Sequence, residues 1–298
     1  MASVNFGPMT VFYILANLAQ LIGIIGAALL GFRDTALFVA IYGLSNLAGL
    51  VVIELLAPMP LSFVLASLRR GLARRIAVFS WPLLLQTGLF AVWFGSDLIL
   101  VRMFLAPPLT GDYAAAKTLV NLVALPAGAI GGSMVSVIAG LSGPPFRRYM
   151  SRALVLAAAV IVPSLLVLVI FGGPIVRLIF SAKYPHAAAP LPWLAVGMGA
   201  YAFYLVLESV WVGMGRPVID AVATGAGMVV TLAAGVVLVP TAGLAGAAGA
   251  FALGAVVQLV AIMAFTVWAY THSLGAGRPL GQSARLEADG DDGGTAGA

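Results

Sequence analysis

From residue 10 to residue 270 the chain is one apolar run after another, interrupted only by short clusters of Gly, Pro and charge. A helix needs about 20 consecutive apolar residues to cross a hydrocarbon core of roughly 30 Å. With Gly, Pro and charge taken as boundaries, the pattern predicts eight membrane helices, at about 10–31, 36–58, 80–105, 112–140, 152–171, 187–213, 218–239 and 244–270. Barrel strands would alternate apolar and polar positions over about 10 residues. These runs are instead continuous, longer and rich in Leu, Ala, Gly and Val. The expected fold is an all-α, polytopic membrane helix bundle.

Composition agrees: 62% of the 298 residues are hydrophobic and 8% charged, against roughly 45–50% and about 25% in a soluble domain. There is no cysteine, so disulfides, thiolate nucleophiles and thiolate-bound metals are excluded. The formal net charge is +5, but the basic residues lie in short loops between apolar runs. Lys and Arg so placed mark the cytoplasmic side of a membrane rather than a nucleic-acid surface. An even number of helices puts both termini on one side. That side carries Arg69, Arg70, Arg74, Arg75, Arg147, Arg148, Arg152, Arg216, Arg278 and Arg285, and the other carries Arg33, Arg177 and Lys183. The expectation is therefore a multi-pass protein of the cytoplasmic membrane with both termini inside, in contact with membrane lipids and not with nucleic acid.

Four segments follow. Residues 1–60 hold two helices; residues 61–79 form a basic cytoplasmic linker containing SLRRGLARR; residues 80–272 form a six-helix unit; and residues 273–298 form a Gly-rich acidic tail too polar to bury a core. Glycines at spacings of three or four (Gly23 and Gly26; Gly128 and Gly132; Gly243, Gly246 and Gly249) predict close helix contact. Pro82, Pro126 and Pro163 predict bends of the kind found where a bundle surrounds a cavity.

Ionisable groups in lipid cost at least a few kcal/mol, so they usually face a bundle interior and mark function. At about 100° per residue, Gln86, Trp93 and Asp97 share one face of the third helix, and Lys117, Asn121 and Gly128 one face of the fourth. The two helices form a hairpin about residues 106–111. Asp97 and Lys117 differ in depth by three residues, or ~4.5 Å, and so do Arg102 and Asp112. Two stacked ion pairs are expected, acting as neutral pairs that orient the helices or as a cavity site for an anionic substrate or a coupling cation, with interface snorkelling as a further alternative for Arg102 and Asp112. Tyr201, Tyr204, Glu208 and Trp211 make a third stripe on the sixth helix, either an interfacial aromatic belt or a surface for sugar rings. Glu54 and Asp220 fall near cytoplasmic ends, where hydration is expected, and Gln258 reads as an interhelical hydrogen bond.

Catalytic arrangements are not evident. His186 and His272 lie in a predicted loop and in the tail, and HExxH, GxSxG, GxxxxGK[ST] and GxGxxG patterns do not occur. No enzymatic activity, cofactor or metal is expected.

The segment FSWPLLLQTGLFAVWFGSDLILVRMFLAPPLTGDYAAAKTLVNL from Phe79 resembles the seventh and eighth helices of polysaccharide flippases, where an Asp-bearing helix precedes a short loop and a G-x-Y-A-A-A stretch, here Gly111, Tyr113, Ala114, Ala115 and Ala116. LIFSAKYPHAAAPLPWLAVG from Leu178, the Gly215-Arg216-Pro217 turn and Gly243-Leu244-Ala245-Gly246-Ala247-Ala248 follow in the family's order. The chain thus looks like the multidrug/oligosaccharidyl-lipid/polysaccharide exporter superfamily, closest to its O-antigen (Wzx-type) flippase branch. The resemblance covers about residues 60–272 and extends to the two helices before them. It implies two six-helix lobes around a cavity that opens alternately to each side of the membrane, a pattern from which this chain departs by having one complete six-helix lobe plus two helices of a second. It further implies that the substrate is a lipid-linked oligosaccharide, with Lys117, Asn121, Gln86 and Trp93 as candidate contacts for pyrophosphate and sugar, and that a separate chain supplying a further lobe, or glycan-assembly enzymes, are partners. Two other readings stand beside it: an ion-coupled exporter of small cations centred on Asp97 and Glu208, and a non-transporting membrane scaffold for glycan assembly.

Overall fold

A computed structural model describes residues 7–32, 34–56, 70–138, 144–180 and 183–274. Among these residues the chain is helical with no strand. The eight helices are α1 (Gly7–Leu29), α2 (Thr35–Leu56), α3 (Arg70–Phe104), α4 (Pro107–Asn121), α5 (Ala124–Ile138), α6 (Pro144–Phe180), α7 (Leu191–Gly213) and α8 (Pro217–Leu274). Among the described residues four helices are long and apolar enough to cross a membrane: Ser80–Phe104, Pro145–Phe180, Leu191–Gly213 and Pro217–Ala269, or five spans when the bent pair α4 and α5 is taken as one. Most of the predicted linker (residues 61–69) and of the predicted tail (275–298) lies outside the described residues. Arg70, Arg74 and Arg75 belong to the first turns of α3 rather than to a loop.

The chain divides into two compact units, Met1–Arg75 and Ile76–Ala298. In the first, α1 and α2 pack as a hairpin. Asp34 caps α2 by accepting a 2.9 Å hydrogen bond from the Ala36 amide, satisfying one of the helix's orphan donors.

In the second unit α7 is the central helix. It packs against α4, α5, α6 and α8, and 72% of its apolar window is buried against 11% for α6. Apolar residues cover α7 all round, as a helix enclosed by others requires, whereas α6 exposes Val155, Leu166, Ile170 and Leu178. The predicted fourth helix is two. After Asn121 the chain makes two tight turns, Leu122 N–H to Leu119 O and Val123 N–H to Val120 O, and then departs at 44° as α5. Pro126 explains the break, since it offers no N–H to the Leu122 carbonyl and its ring displaces that carbonyl. One consequence is that Gly128 does not continue the straight stripe of Lys117 and Asn121. Gly128 and Gly132 face open space, and it is Gly131 that meets the Leu205 backbone of α7.

Glycine sets both remaining corners. Gly215 (φ 74°) ends α7 with its amide bonded to Val212 O and that of Arg216 to Trp211 O, the paired hydrogen bonds of a Schellman cap. Pro217 then opens α8, where a missing N–H is harmless. At Gly243 (φ 58°, ψ −135°) the backbone enters a region closed to residues with a Cβ, and α8 folds back on itself. Gly227 meets the Gly254 backbone, Gly235 faces Ala250, and Gly246 lies against the Leu238 carbonyl, so small residues hold the two arms of α8 together as an antiparallel hairpin.

Candidate functional site

Asp97 on α3 and Lys117 on α4 meet in the interior of the second unit. Lys117 Nζ lies 2.6 Å from Asp97 Oδ1 and 2.8 Å from Oδ2, with side chains 8% and 0% exposed. The ammonium also donates to the Phe94 carbonyl and lies 4.3 Å from the centroid of the Phe94 ring and 4.8 Å from that of Phe251. Tyr113, one turn before Lys117, donates to Asp97 Oδ2 at 2.8 Å, and the Leu98 amide donates to Oδ1 at 2.8 Å. The cation therefore has a carboxylate, a carbonyl and two ring faces, and the carboxylate has three donors. Desolvated charges are tolerated in low dielectric only with this degree of compensation.

Aromatic rings enclose the pair. Trp93 stacks on Phe251 with centroids 5.1 Å apart, Phe90 stacks on Tyr201 at 5.7 Å, and Trp93 lies 5.2 Å from Tyr201. The indole N–H of Trp93 donates to Thr231 Oγ1 on α8 at 2.9 Å. This one hydrogen bond ties α3 to α8 across 138 positions of sequence.

The second expected ion pair does not form. Arg102 is exposed, and Asp112 is buried with its Oδ1 lacking a hydrogen-bond partner. The reason is rotational. Arg102 follows Asp97 by five residues and Asp112 precedes Lys117 by five, so each is turned about 140° from the shared face. Equal depth was satisfied, but the facing direction was not. Tyr113, four residues before Lys117, occupies the position on Asp97 that the depth argument left empty.

A second polar cluster joins α7 to both arms of α8. Thr224 Oγ1 lies 2.8 Å from the Tyr204 hydroxyl and accepts from Gln258 Nε2 at 3.0 Å. One turn before Thr224, Asp220 is fully buried and neither carboxylate oxygen has a partner; Gln258 Oε1 is likewise unpartnered. The expected hydration of Asp220 near a helix end is thus overturned, because the fold of α8 encloses it. Tyr201, Tyr204 and Trp211 are buried too, which rules out an interfacial belt for these rings. Glu208 is half-buried one turn beyond Tyr204, Gln86 is half-buried two turns before Trp93, and Asn121 is half-buried with Oδ1 unpartnered. None of the three enters the hydrogen-bonded set around Lys117.

Sequence reasoning missed Tyr113, Phe94, Phe251, Thr224, Thr231 and the enclosure of Asp220. Tyr113 had a signal, since it precedes Lys117 by one turn within the GDYAAAK stretch. The others depend on partners distant in sequence. Among the described residues no three Asp, Glu or His side chains converge as metal ligands would. Chemically, the first cluster presents a buried ammonium compensated by a carboxylate, a carbonyl and two aromatic faces. No protein-family model, curated protein or solved structure matches the chain.

Proposed function

We propose that this chain is a transporter rather than an enzyme, and that it moves a lipid-linked oligosaccharide across a bacterial cytoplasmic membrane by alternating access. One observation carries the reading: a lysine, Lys117, is buried at the centre of an apolar bundle, held by Asp97 and faced by the Phe94 and Phe251 rings. A charge retained at that depth costs at least a few kcal/mol and marks a path for charged or polar cargo. The family resemblance supplies the cargo class. The cargo's pyrophosphate exchanges with Asp97 for Lys117, and sugar rings lie against Trp93 and Tyr201. The breaks at Leu122–Val123 and Gly243 are where helices change direction as the cavity opens to one side or the other.

In this reading the hairpin in α8 and the bent α4–α5 pair make eight crossings in all: α1, α2, α3, the α4–α5 pair, α6, α7 and the two arms of α8. Both termini are then cytoplasmic by the arginine count. Pro108→Cys and Pro145→Cys, made singly in this cysteine-free chain, test the orientation. An impermeant maleimide applied to spheroplasts is expected to label Pro108→Cys alone, and the opposite pattern inverts the topology.

Transport is tested with the purified chain in vesicles carrying a fluorescent polyprenyl-pyrophosphate oligosaccharide, scored as the rate at which an external quencher gains access to the inner-leaflet label. Lys117→Ala is expected to reduce the rate to that of protein-free vesicles while Lys117→Arg retains part of it. Equal rates for Lys117→Ala and the unsubstituted chain remove Lys117 from the mechanism, and no flipping by any form overturns the reading.

The enclosed Asp220, with two unpartnered oxygens beside Thr224 and Gln258, favours a second reading, an ion-coupled exporter of small cations. Asp220→Asn separates the two. Loss of drug efflux with intact surface polysaccharide selects the exporter.

A further inference from the structure

The proposed transport path leaves unused a basic groove at the start of α6. A cavity of about 260 Å³ there is lined by Pro145, Arg148, Tyr149 and Arg152. We propose that this groove binds the phosphate of an anionic phospholipid drawn from the surrounding leaflet.

Four observations converge. The first is geometry: residues 145, 148, 149 and 152 are spaced by three and four, so they form one face of α6, with the two guanidinium-bearing residues one turn, or roughly 6 Å, apart along the axis. Two planar forks at that spacing match the oxygens of a phosphate, which each engages through paired N–H donors. The second is charge. No Asp or Glu occurs between Asp112 and Glu208, so neither arginine has an acid along its own helix or the neighbouring turns to neutralise it. Arg148 and Arg152 are exposed.

The third observation is depth. Residues 153–176 of α6 carry no charge and extend roughly 36 Å at 1.5 Å per residue, slightly more than a hydrocarbon core of about 30 Å. Arg152 and Arg177 bracket that stretch, so Arg152 emerges at the headgroup layer and Arg148 one turn farther out. Tyr149, half-buried and packed on the core of the unit, stands at the level where tyrosine favours the interface. The fourth is size. The groove falls below the roughly 300–1,000 Å³ that encloses a drug-sized ligand; it suits a phosphate headgroup and not an oligosaccharide. The positive end of the α6 helix dipole adds to the attraction for an anion.

The test follows energy transfer from the tryptophans of the full chain in mixed detergent micelles to pyrene-acyl phosphatidylglycerol or pyrene-acyl phosphatidylcholine. The expected result is at least a fivefold preference for phosphatidylglycerol, weakened by added salt. The double variant Arg148→Gln, Arg152→Gln is expected to lower phosphatidylglycerol affinity tenfold or more, while Arg177→Gln at the other end of α6 changes it less than twofold. Arg148→Lys, Arg152→Lys keeps the charge and loses the forks, and is expected to fall between; it also serves if the glutamine variant does not fold. Equal binding of the two lipids, or an unchanged glutamine variant, overturns the proposal. Complete displacement of phosphatidylglycerol by millimolar inorganic phosphate would make the occupant a free anion and overturn the assignment to lipid.

Discussion

The two buried polar clusters of the larger unit are built to opposite accounts. Around Asp97 and Lys117 donors and acceptors balance: the ammonium has a carboxylate and a carbonyl, and the carboxylate has Lys117, Tyr113 and the Leu98 amide. Around Thr224 acceptors outnumber donors, with both oxygens of Asp220 and Oε1 of Gln258 left without partners. A balanced buried set behaves as one structural unit, because removing a member strands a charge. An acceptor-rich set is complete only when a proton, a cation or a water joins it. The first cluster should therefore dominate stability and the second should tolerate neutralisation.

Asp97→Ala offers the hardest blow to this contrast. It leaves Lys117 uncompensated in the interior, so unfolding of the detergent-solubilised chain in denaturant is expected to show a loss of about 3–5 kcal/mol. The double variant Asp97→Leu, Lys117→Met should recover most of that loss. A double variant no more stable than the single one would show that the two residues are not coupled.

Tyr113→Phe removes one hydrogen bond to a charged carboxylate and should cost about 1.5–3 kcal/mol, read by the same unfolding titration. Thr224→Val, at the hub of the other cluster, unpairs the Tyr204 hydroxyl and Gln258 Nε2 and should cost about 1–3 kcal/mol. Were Thr224→Val to match Asp97→Ala, the contrast between a balanced and an acceptor-rich cluster would fail.

Asp220→Asn should change stability least, within about 1 kcal/mol in either direction, because it supplies an amide donor where only acceptors stand. Thermal unfolding of the purified variant checks this. A loss comparable to that of Asp97→Ala would mean that Asp220 is held by partners of its own.

The membrane-bundle character, most helix positions and the juxtaposition of Asp97 with Lys117 were legible along the chain. The apolar runs are long, and the short loop between α3 and α4 makes residue depth calculable from rise per residue alone. Arg102 and Asp112 passed the same depth test and failed in space, since depth specifies height on two helices and not rotation about their axes. The sequence pattern showed Pro126 but not the 44° turn that it makes between α4 and α5. The gap that the pattern predicts between residues 239 and 244 contains Gly243, where the backbone of α8 leaves helical geometry.

Local chemistry along the chain thus decides which segments are helical, where proline and glycine end them, and which charges fall within apolar runs, since all of these depend on residues a few positions apart. The tertiary structure alone decides that Phe251 covers Lys117, that Thr231 receives the Trp93 indole across 138 positions, and that Asp220 is enclosed rather than hydrated. Each of these depends on how far a helix is rotated about its own axis when it packs. Side chains around the central α7 settle that rotation collectively, and no local stretch of sequence records it.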